Sequence, residues 1–275
     1  MAMNDAAVAK TDVGQFDPDL TEVIVDLTRP ITTKYFRSEV RGMDNIPDGP
    51  CLVVGNHSGG LLTPDMSVFA VAYYDLYGYD RPLYTLAHDM LFHTPAAELL
   101  KRTGVVRATR ENAAAALAAG AVVMVFPGGD HEVYRPTFRR NKISFGGRTG
   151  YVTTAIEAGV PIVPAVSVGA QETQLYLARG ERLARLLGLT KLERKLGRTD
   201  IFPITFGFPF GLSVVALPLN MPLPAKIVTQ VLPPIDIAAK FGEHPDVHAV
   251  DRHVRWVMQS VLDELGHRRR LPIFG

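Results

Sequence analysis

Residues 111–126 read ENAAAALAAGAVVMVF. The alanine-rich first nine residues suit a helix, Gly120 stands where a helix C-terminus favours glycine, and AVVMVF (121–126) is an apolar run of strand length. The same grammar recurs downstream, with a helix expected from about 149 to 158, a stop at Gly159, and the strand PIVPAVSV at 161–168. Upstream, CLVVG (51–55) reads as a buried strand, residues 64–77 as a helix with Thr63 as N-cap and proline at its first position, and residues 82–87 as a further strand. Strands alternating with helices predict a largely parallel sheet covered on both faces, with functional groups in loops at the carboxyl ends of the strands. No fixed-period repeat and no Pro-, Gly- or Ser-rich linker divides the chain. The expected fold class is therefore α/β, a single domain with a mostly parallel central sheet flanked by helices.

Residues 1–19 are small, polar and without period, which predicts a disordered tail before a folded domain spanning 20–275. They also lack the basic and then apolar regions of a secretory signal. Residues 20–35, LTEVIVDLTRPITTKY, predict a short amphipathic helical segment with Pro30 as a break or kink. With 47% hydrophobic and 21% charged residues among 275, the chain is too apolar for disorder. Twenty-nine basic against 28 acidic residues leave a net charge of +1, which gives no reason to expect a nucleic-acid partner. A single cysteine, Cys51, excludes an intrachain disulfide, a multi-thiolate zinc site and a CxxC redox pair, and fits a reducing cytoplasm. The one long uncharged stretch, residues 201–225, carries Pro203, Pro209, Pro218, Pro222 and Pro224, too many breaks for a membrane-spanning helix.

Four segments could carry chemistry. Asn56-His57-Ser58-Gly59-Gly60 leaves the strand at 51–55, and Asp65 follows in the first turn of the next helix. A histidine held at a strand end, with a carboxylate accepting its second N–H, is a candidate general base. Taken alone, this spacing favours the plainer reading, in which Asp65 helps cap the helix and His57 is a hydrogen-bonded loop histidine. Phe126-Pro127-Gly128-Gly129-Asp130-His131-Glu132 follows the strongest strand, where glycine amides at Gly128 and Gly129 could face an oxyanion. Gly104 to Arg110 places Arg107 and Arg110 just before a helix, where an arginine could hold a phosphate. Val160 to Pro164 by itself reads only as a strand start.

In this order the four segments resemble the blocks of the glycerolipid and lysophospholipid acyltransferase family, which includes 1-acylglycerol-3-phosphate acyltransferases. That family shows Asn-His-x4-Asp, Gly-x5-Arg, Phe-Pro-Glu-Gly-Thr-Arg-Ser and Val-Pro-Ile-x-Pro. The likeness runs from about 40 to 236, and residues 40–50 and 227–235 resemble its flanking strands. Two departures stand out: Asp65 is eight positions after His57 where the family has five, and Gly128 and His131 replace the family's Glu and Arg. The third block instead looks like the Pro-Gly-Gly-x-Arg-Glu-Ala pattern of the diacylglycerol acyltransferase type 2 and phytyl-ester synthase branches.

The resemblance implies an O-acyltransferase that moves an acyl group from acyl-CoA or acyl carrier protein to a hydroxyl of a lysophospholipid or glycerolipid. His57 would be the base and Asp65 its orienter, with no cofactor beyond the acyl-CoA co-substrate and no metal. Gly128 and Gly129 would be oxyanion donors, with Arg110, Arg107, His131 and Glu132 around the substrates. Glu132 suits loop hydrogen bonding before catalysis, and Arg135, Arg139, Arg140 and Lys142 are further phosphate candidates. His88-Asp89 suggests a metal pair only if further ligands exist, and Trp256 reads as core packing in a terminal helix. Basic residues 267–270 read as an exposed end. Lipid substrates imply a peripheral protein on the cytoplasmic, inner face of the cell membrane, resting on part of 201–225 and on residues 23–35. The two departures also motivate an alternative, an inactive lipid-binding member of the same fold.

Overall fold

The computed structural model describes residues 11–60, 63–180, 203–214, 220–269 and 271. Among the described residues ten strands follow in chain order: β1 (Glu39–Arg41), β2 (Cys51–Gly55), β3 (Leu83–Ala87), β4 (Val105–Arg107), β5 (Val122–Val125), β6 (Ile162–Val168), β7 (Leu175–Ala178), β8 (Ile204–Gly207), β9 (Gly211–Val214) and β10 (Val228–Val231). The helices are α1 (Pro18–Pro30), α2 (Pro64–Tyr77), α3 (Ala97–Arg102), α4 (Arg110–Ala118), α5 (Gly129–Val133), α6 (Gly150–Ala158), α7 (Ile237–Phe241) and α8 (Val247–Arg268). Seven strands form one sheet in the order β1-β10-β6-β2-β5-β3-β4. From β6 to β4 every pairing is parallel, whereas β10 runs antiparallel to β6 and parallel to β1.

The period of two along β2 explains why helices cover both faces. Leu52 and Val54 enter a core with Leu117 of α4, Val152 of α6 and Met258 of α8. Cys51 and Val53 enter the opposite core with Val25 of α1 and Phe69 and Tyr73 of α2. β2 is therefore buried on both sides, and its carboxyl end is left to carry the site.

Four sequence expectations change here. From Asp12 onward the expected tail is ordered: the Asp12 carboxylate accepts from Arg107 Nη1 at 2.7 Å and Asn112 Nδ2 at 3.1 Å, and its amide donates to Asn112 Oδ1 at 2.9 Å. These partners lie about a hundred positions away, so local period could not reveal them. Thr63 has φ +42 and makes no side-chain cap to α2. Trp256 is 67% exposed and stacks on His253, because Val250, Val254, Met258 and Leu262 already define the buried face of α8 and a residue two positions from Val254 points away from it. The basic C-terminal residues also divide, since Arg269 is largely buried against Glu172 at 2.7 Å. Pro30 ends α1 as expected, but the chain continues through a π-helical turn, Ile31–Tyr35.

The described part of the 201–225 stretch is mainly β-hairpin. Strands β7, β8 and β9 form an antiparallel sheet in which Tyr176, Thr205 and Ser213 pack inward, while Leu177, Phe206 and Leu212 face out. Asn220 fastens the hairpin, accepting the Phe210 amide and donating to the Gly211 carbonyl, each at 3.0 Å. Residues 201–202 and 215–219 of that stretch lie outside the described residues.

Candidate active site

The loop after β2 is fixed by side chains from four other segments. Asn56, buried, donates to the Ser167 carbonyl at 2.8 Å and accepts its amide at 2.7 Å, extending the β2–β6 pairing by a side-chain amide. Asp65 is also buried. Its Oδ2 accepts the Ser58 amide at 2.7 Å and lies 3.2 Å from Nδ1 of His57. With the Nδ1 proton directed at that carboxylate, Nε2 is the nitrogen available for chemistry. The ring stacks on Phe126 at the end of β5, with centroids 4.4 Å apart. Gln171 accepts the Gly59 amide at 3.2 Å.

The three extra residues between His57 and Asp65 are accommodated by the turn at Gly59 and Gly60. Both have positive φ, and a Cβ on Gly60 would overlap the Tyr176 hydroxyl. The loop therefore folds tightly beneath β7 and returns the carboxylate to the ring.

His57 lines a cavity of about 770 Å³ that runs between β3, β5, α4 and α6, with Leu52, Leu86, Val105, Ala113 and Val125 among its walls. The walls are mostly apolar, with Arg110 and the ion pair of Asp130 and Arg148 among the polar lining residues. Such a lining suits a largely apolar ligand that carries a polar group. Burial pushes the Asp130 carboxyl up, but the Arg148 guanidinium at 2.9 Å outweighs it and holds that carboxyl below its usual range.

The remaining candidates separate. Arg110, at the start of α4, lines the cavity. Arg107 does not belong to it: Asp12 and Asp89, at 2.7 and 3.0 Å, hold its guanidinium over Phe92. His131 is likewise not among the lining residues, and its carbonyl accepts from Arg179 at 2.7 Å. The Gly129 amide is spent in the turn, donating to the Phe126 carbonyl at 3.1 Å, which leaves the Gly128 amide of the expected oxyanion pair, although Gly129 and not Gly128 is among the residues lining the cavity. Arg135 is no phosphate contact: it is 2% exposed and donates to the carbonyls of His57, Glu132 and Arg140. Arg140 pairs with Glu172 at 3.0 Å, and Arg139 lies over Phe138. Asp89 pairs with His93 at 3.2 Å as well as with Arg107.

Glu132 is fully buried beneath the loop. Its Oε2 accepts the His57 amide at 2.9 Å and its Oε1 the Ser144 amide at 3.0 Å. Burial pushes its carboxyl up and the Arg135 guanidinium down, while each charge opposes the other's shift. Sequence reasoning missed Arg148 and Gln171 altogether. Neither sits in a motif, and Gln171 meets Gly59 across 112 positions.

The sequence profile of the Acyltransferase family matches residues 37–168, which hold β1 to β6 and the His57–Asp65 pair. An uncharacterized protein of Mycobacterium tuberculosis is 35% identical over 268 residues, 94% of this chain and 70% of that one. The chain belongs to the acyltransferase family. The acyltransferase is also 27% identical over 243 residues to the "DGAT1/2-independent enzyme synthesizing storage lipids" of Bos taurus, covering 85% of this chain and 66% of that protein. Among solved structures it shares its fold with the 1-acyl-sn-glycerophosphate (LPA) acyltransferase PlsC of Thermotoga maritima. The TM-score is 0.56 at 18% identity, over 91% of this chain and 83% of that one. The α/β single-domain expectation therefore holds for this acyltransferase.

Proposed function

We propose that the protein is an O-acyltransferase that moves a fatty acyl group from acyl-CoA or acyl carrier protein to a hydroxyl of a lysophospholipid or glycerolipid. The observation that carries this reading is the His57–Asp65 pair, 3.2 Å apart, at the wall of a largely apolar cavity of about 770 Å³. His57 Nε2 takes the proton of the acceptor hydroxyl as its oxygen attacks the thioester carbonyl. The tetrahedral intermediate then collapses, the C–S bond breaks, and His57 passes the proton to the departing sulfur, which leaves as the thiol. Asp65 fixes the tautomer and stabilises the imidazolium between the two transfers. The Gly128 amide is the proposed oxyanion donor, and Arg110 the proposed contact to an anionic substrate group.

Access to lipid comes from one apolar belt. Val23, Leu27, Ile31 and Tyr35, spaced four apart, are 55%, 68%, 52% and 39% exposed. The Tyr35 hydroxyl donates to the Pro222 carbonyl at 2.6 Å, and the Met221 amide donates to the Phe208 carbonyl at 2.8 Å. The helical stripe thus meets exposed Phe206, Phe208 and Phe210 on the hairpin. Among the described residues no helix is long and apolar enough to cross a membrane. In this proposal the belt rests on the cytoplasmic face of the bilayer.

The features that favoured an inactive binding protein have structural counterparts here. Asp65 reaches the ring despite its spacing, and the volume a side chain at Gly128 would occupy is filled by Glu132. The deciding experiment incubates the protein with labelled acyl-CoA and a panel of lysophospholipid, monoacylglycerol, diacylglycerol and long-chain alcohol acceptors, beside His57→Ala. Product from wild type and its loss in the variant are expected; equal product from both would remove His57 as the base.

A further inference from the structure

The main chain of His57 is gripped on both sides by buried ionic side chains. Glu132 takes its amide at 2.9 Å, and Arg135 Nη1 donates to its carbonyl at 2.7 Å. Arg135 reaches further, to the Glu132 carbonyl and the Ser58 hydroxyl, each at 2.8 Å, and to the Arg140 carbonyl at 2.9 Å. Neither residue is among those lining the cavity. Burying two ions is costly, and for stability alone a well-packed apolar pair commonly serves as well or better. What this pair supplies is position: between them, both backbone hydrogen-bonding groups of the histidine are fixed. Gly128 belongs to the same device. A Cβ there would overlap the Glu132 carboxylate, so the bare glycine is the space through which Glu132 folds back to the loop.

We propose that Glu132 and Arg135 are positioning residues for His57, a charged clamp that sets where the imidazole stands, with Gly128 as its steric allowance. The proposal rests on His57 being the base. Displacing a reacting group by about 1 Å can cost roughly a hundredfold in rate, so a clamp on its backbone acts on turnover without touching substrate. Both Glu132 oxygens accept N–H groups, whereas glutamine offers one acceptor and turns its NH2 toward a donor. Lysine at 135 keeps the charge but not the planar fork that addresses four acceptors.

The test uses the full chain with long-chain acyl-CoA and the best acceptor from the panel, comparing wild type, Glu132→Gln, Arg135→Lys and Gly128→Ala. Circular dichroism checks folding. Two readouts follow: kcat and KM separately, and the ¹³Cε1 resonance of His57, assigned by its loss in His57→Gln. Expected are kcat values about tenfold to a hundredfold lower with KM within about twofold, and a displaced or broadened His57 signal with the other histidine signals unchanged. Folded variants with wild-type kcat, a change confined to KM, or an undisturbed His57 resonance would overturn the clamp. Gly128→Ala keeps both charges and crowds the Glu132 carboxylate and Cβ; because the Gly128 amide is also the proposed oxyanion donor, the His57 resonance of this variant, not its kcat, decides the matter if Glu132→Gln does not fold. His57→Ala with undiminished turnover would instead strike the base assignment, and the resonance would still report on the clamp.

Discussion

Asp65 follows His57 by eight residues, yet its Oδ2 stands 3.2 Å from His57 Nδ1 and 2.7 Å from the Ser58 amide. One buried carboxylate therefore orients the ring and holds the loop that carries it. Its position in the first turn of α2 is one where the helix amides favour an acidic side chain.

This double duty predicts a graded outcome. His57→Ala is expected to abolish measurable acyl transfer with little change in stability. Asp65→Asn should lower kcat by about a hundredfold or more while leaving liposome binding intact, since an amide there can no longer stabilise the imidazolium. Steady-state kinetics beside a vesicle sedimentation assay checks both; Asp65→Asn turnover within threefold of wild type would contradict the pairing.

The cavity predicts a chain-length effect. Ala113 is buried on α4 and lines the cavity, so Ala113→Leu should fill part of it. Long-chain acyl-CoA donors are expected to lose activity more than short-chain donors. Competition between donors of two lengths measures this directly, and an unchanged preference would place the acyl chain elsewhere.

The belt predicts separable surface effects. Phe206→Ser, Phe208→Ser and Phe210→Ser combined should reduce binding to phospholipid vesicles severalfold, and Val23→Ser with Leu27→Ser should do the same from the helical side. All five side chains are more than half exposed, so each substitution is expected to change stability by no more than about 0.5 kcal/mol. Unchanged vesicle binding by folded variants would count against the docking surface.

Asp12 predicts a pH dependence. Burial pushes its carboxyl up, but the amide and guanidinium of Arg107 and the side chain of Asn112 together hold it below the unfolded value of 3.8. A depressed native pKa means the contribution to stability is present above pH 3.8 and is lost as pH falls through the native value. Because Arg107 is one-third exposed, Asp12→Asn is expected to cost only about 1 kcal/mol at neutral pH. Urea denaturation of both proteins should show that difference shrinking in acid; a gap that widens there would reverse the sign.

Much of the architecture was legible in the order of short apolar runs and helices, because strands buried on both faces must be apolar throughout and two covering helices stop beside a glycine, Gly120 and Gly159. Residues 121–126 and 161–168 marked two such strands, and β5 and β6 fall within them. The same reading located the loops at 56–60 and 126–132. It could not say which side chains of those loops face the cavity, since that depends on partners far along the chain. Arg107 and Arg110 look alike in sequence, and only Asp12 and Asp89 draw the first away. Arg135 looked like a surface cation until Glu132 and the His57 carbonyl appeared beside it. The greasy segment near 201–225 was visible as composition, but its alternation became meaningful only when Thr205 and Ser213 turned inward and Phe206 and Leu212 outward. Local sequence thus determined which elements form, through propensity and period. Tertiary structure decided which charges meet, because burial makes an ion's partner, rather than its neighbours in sequence, fix its role.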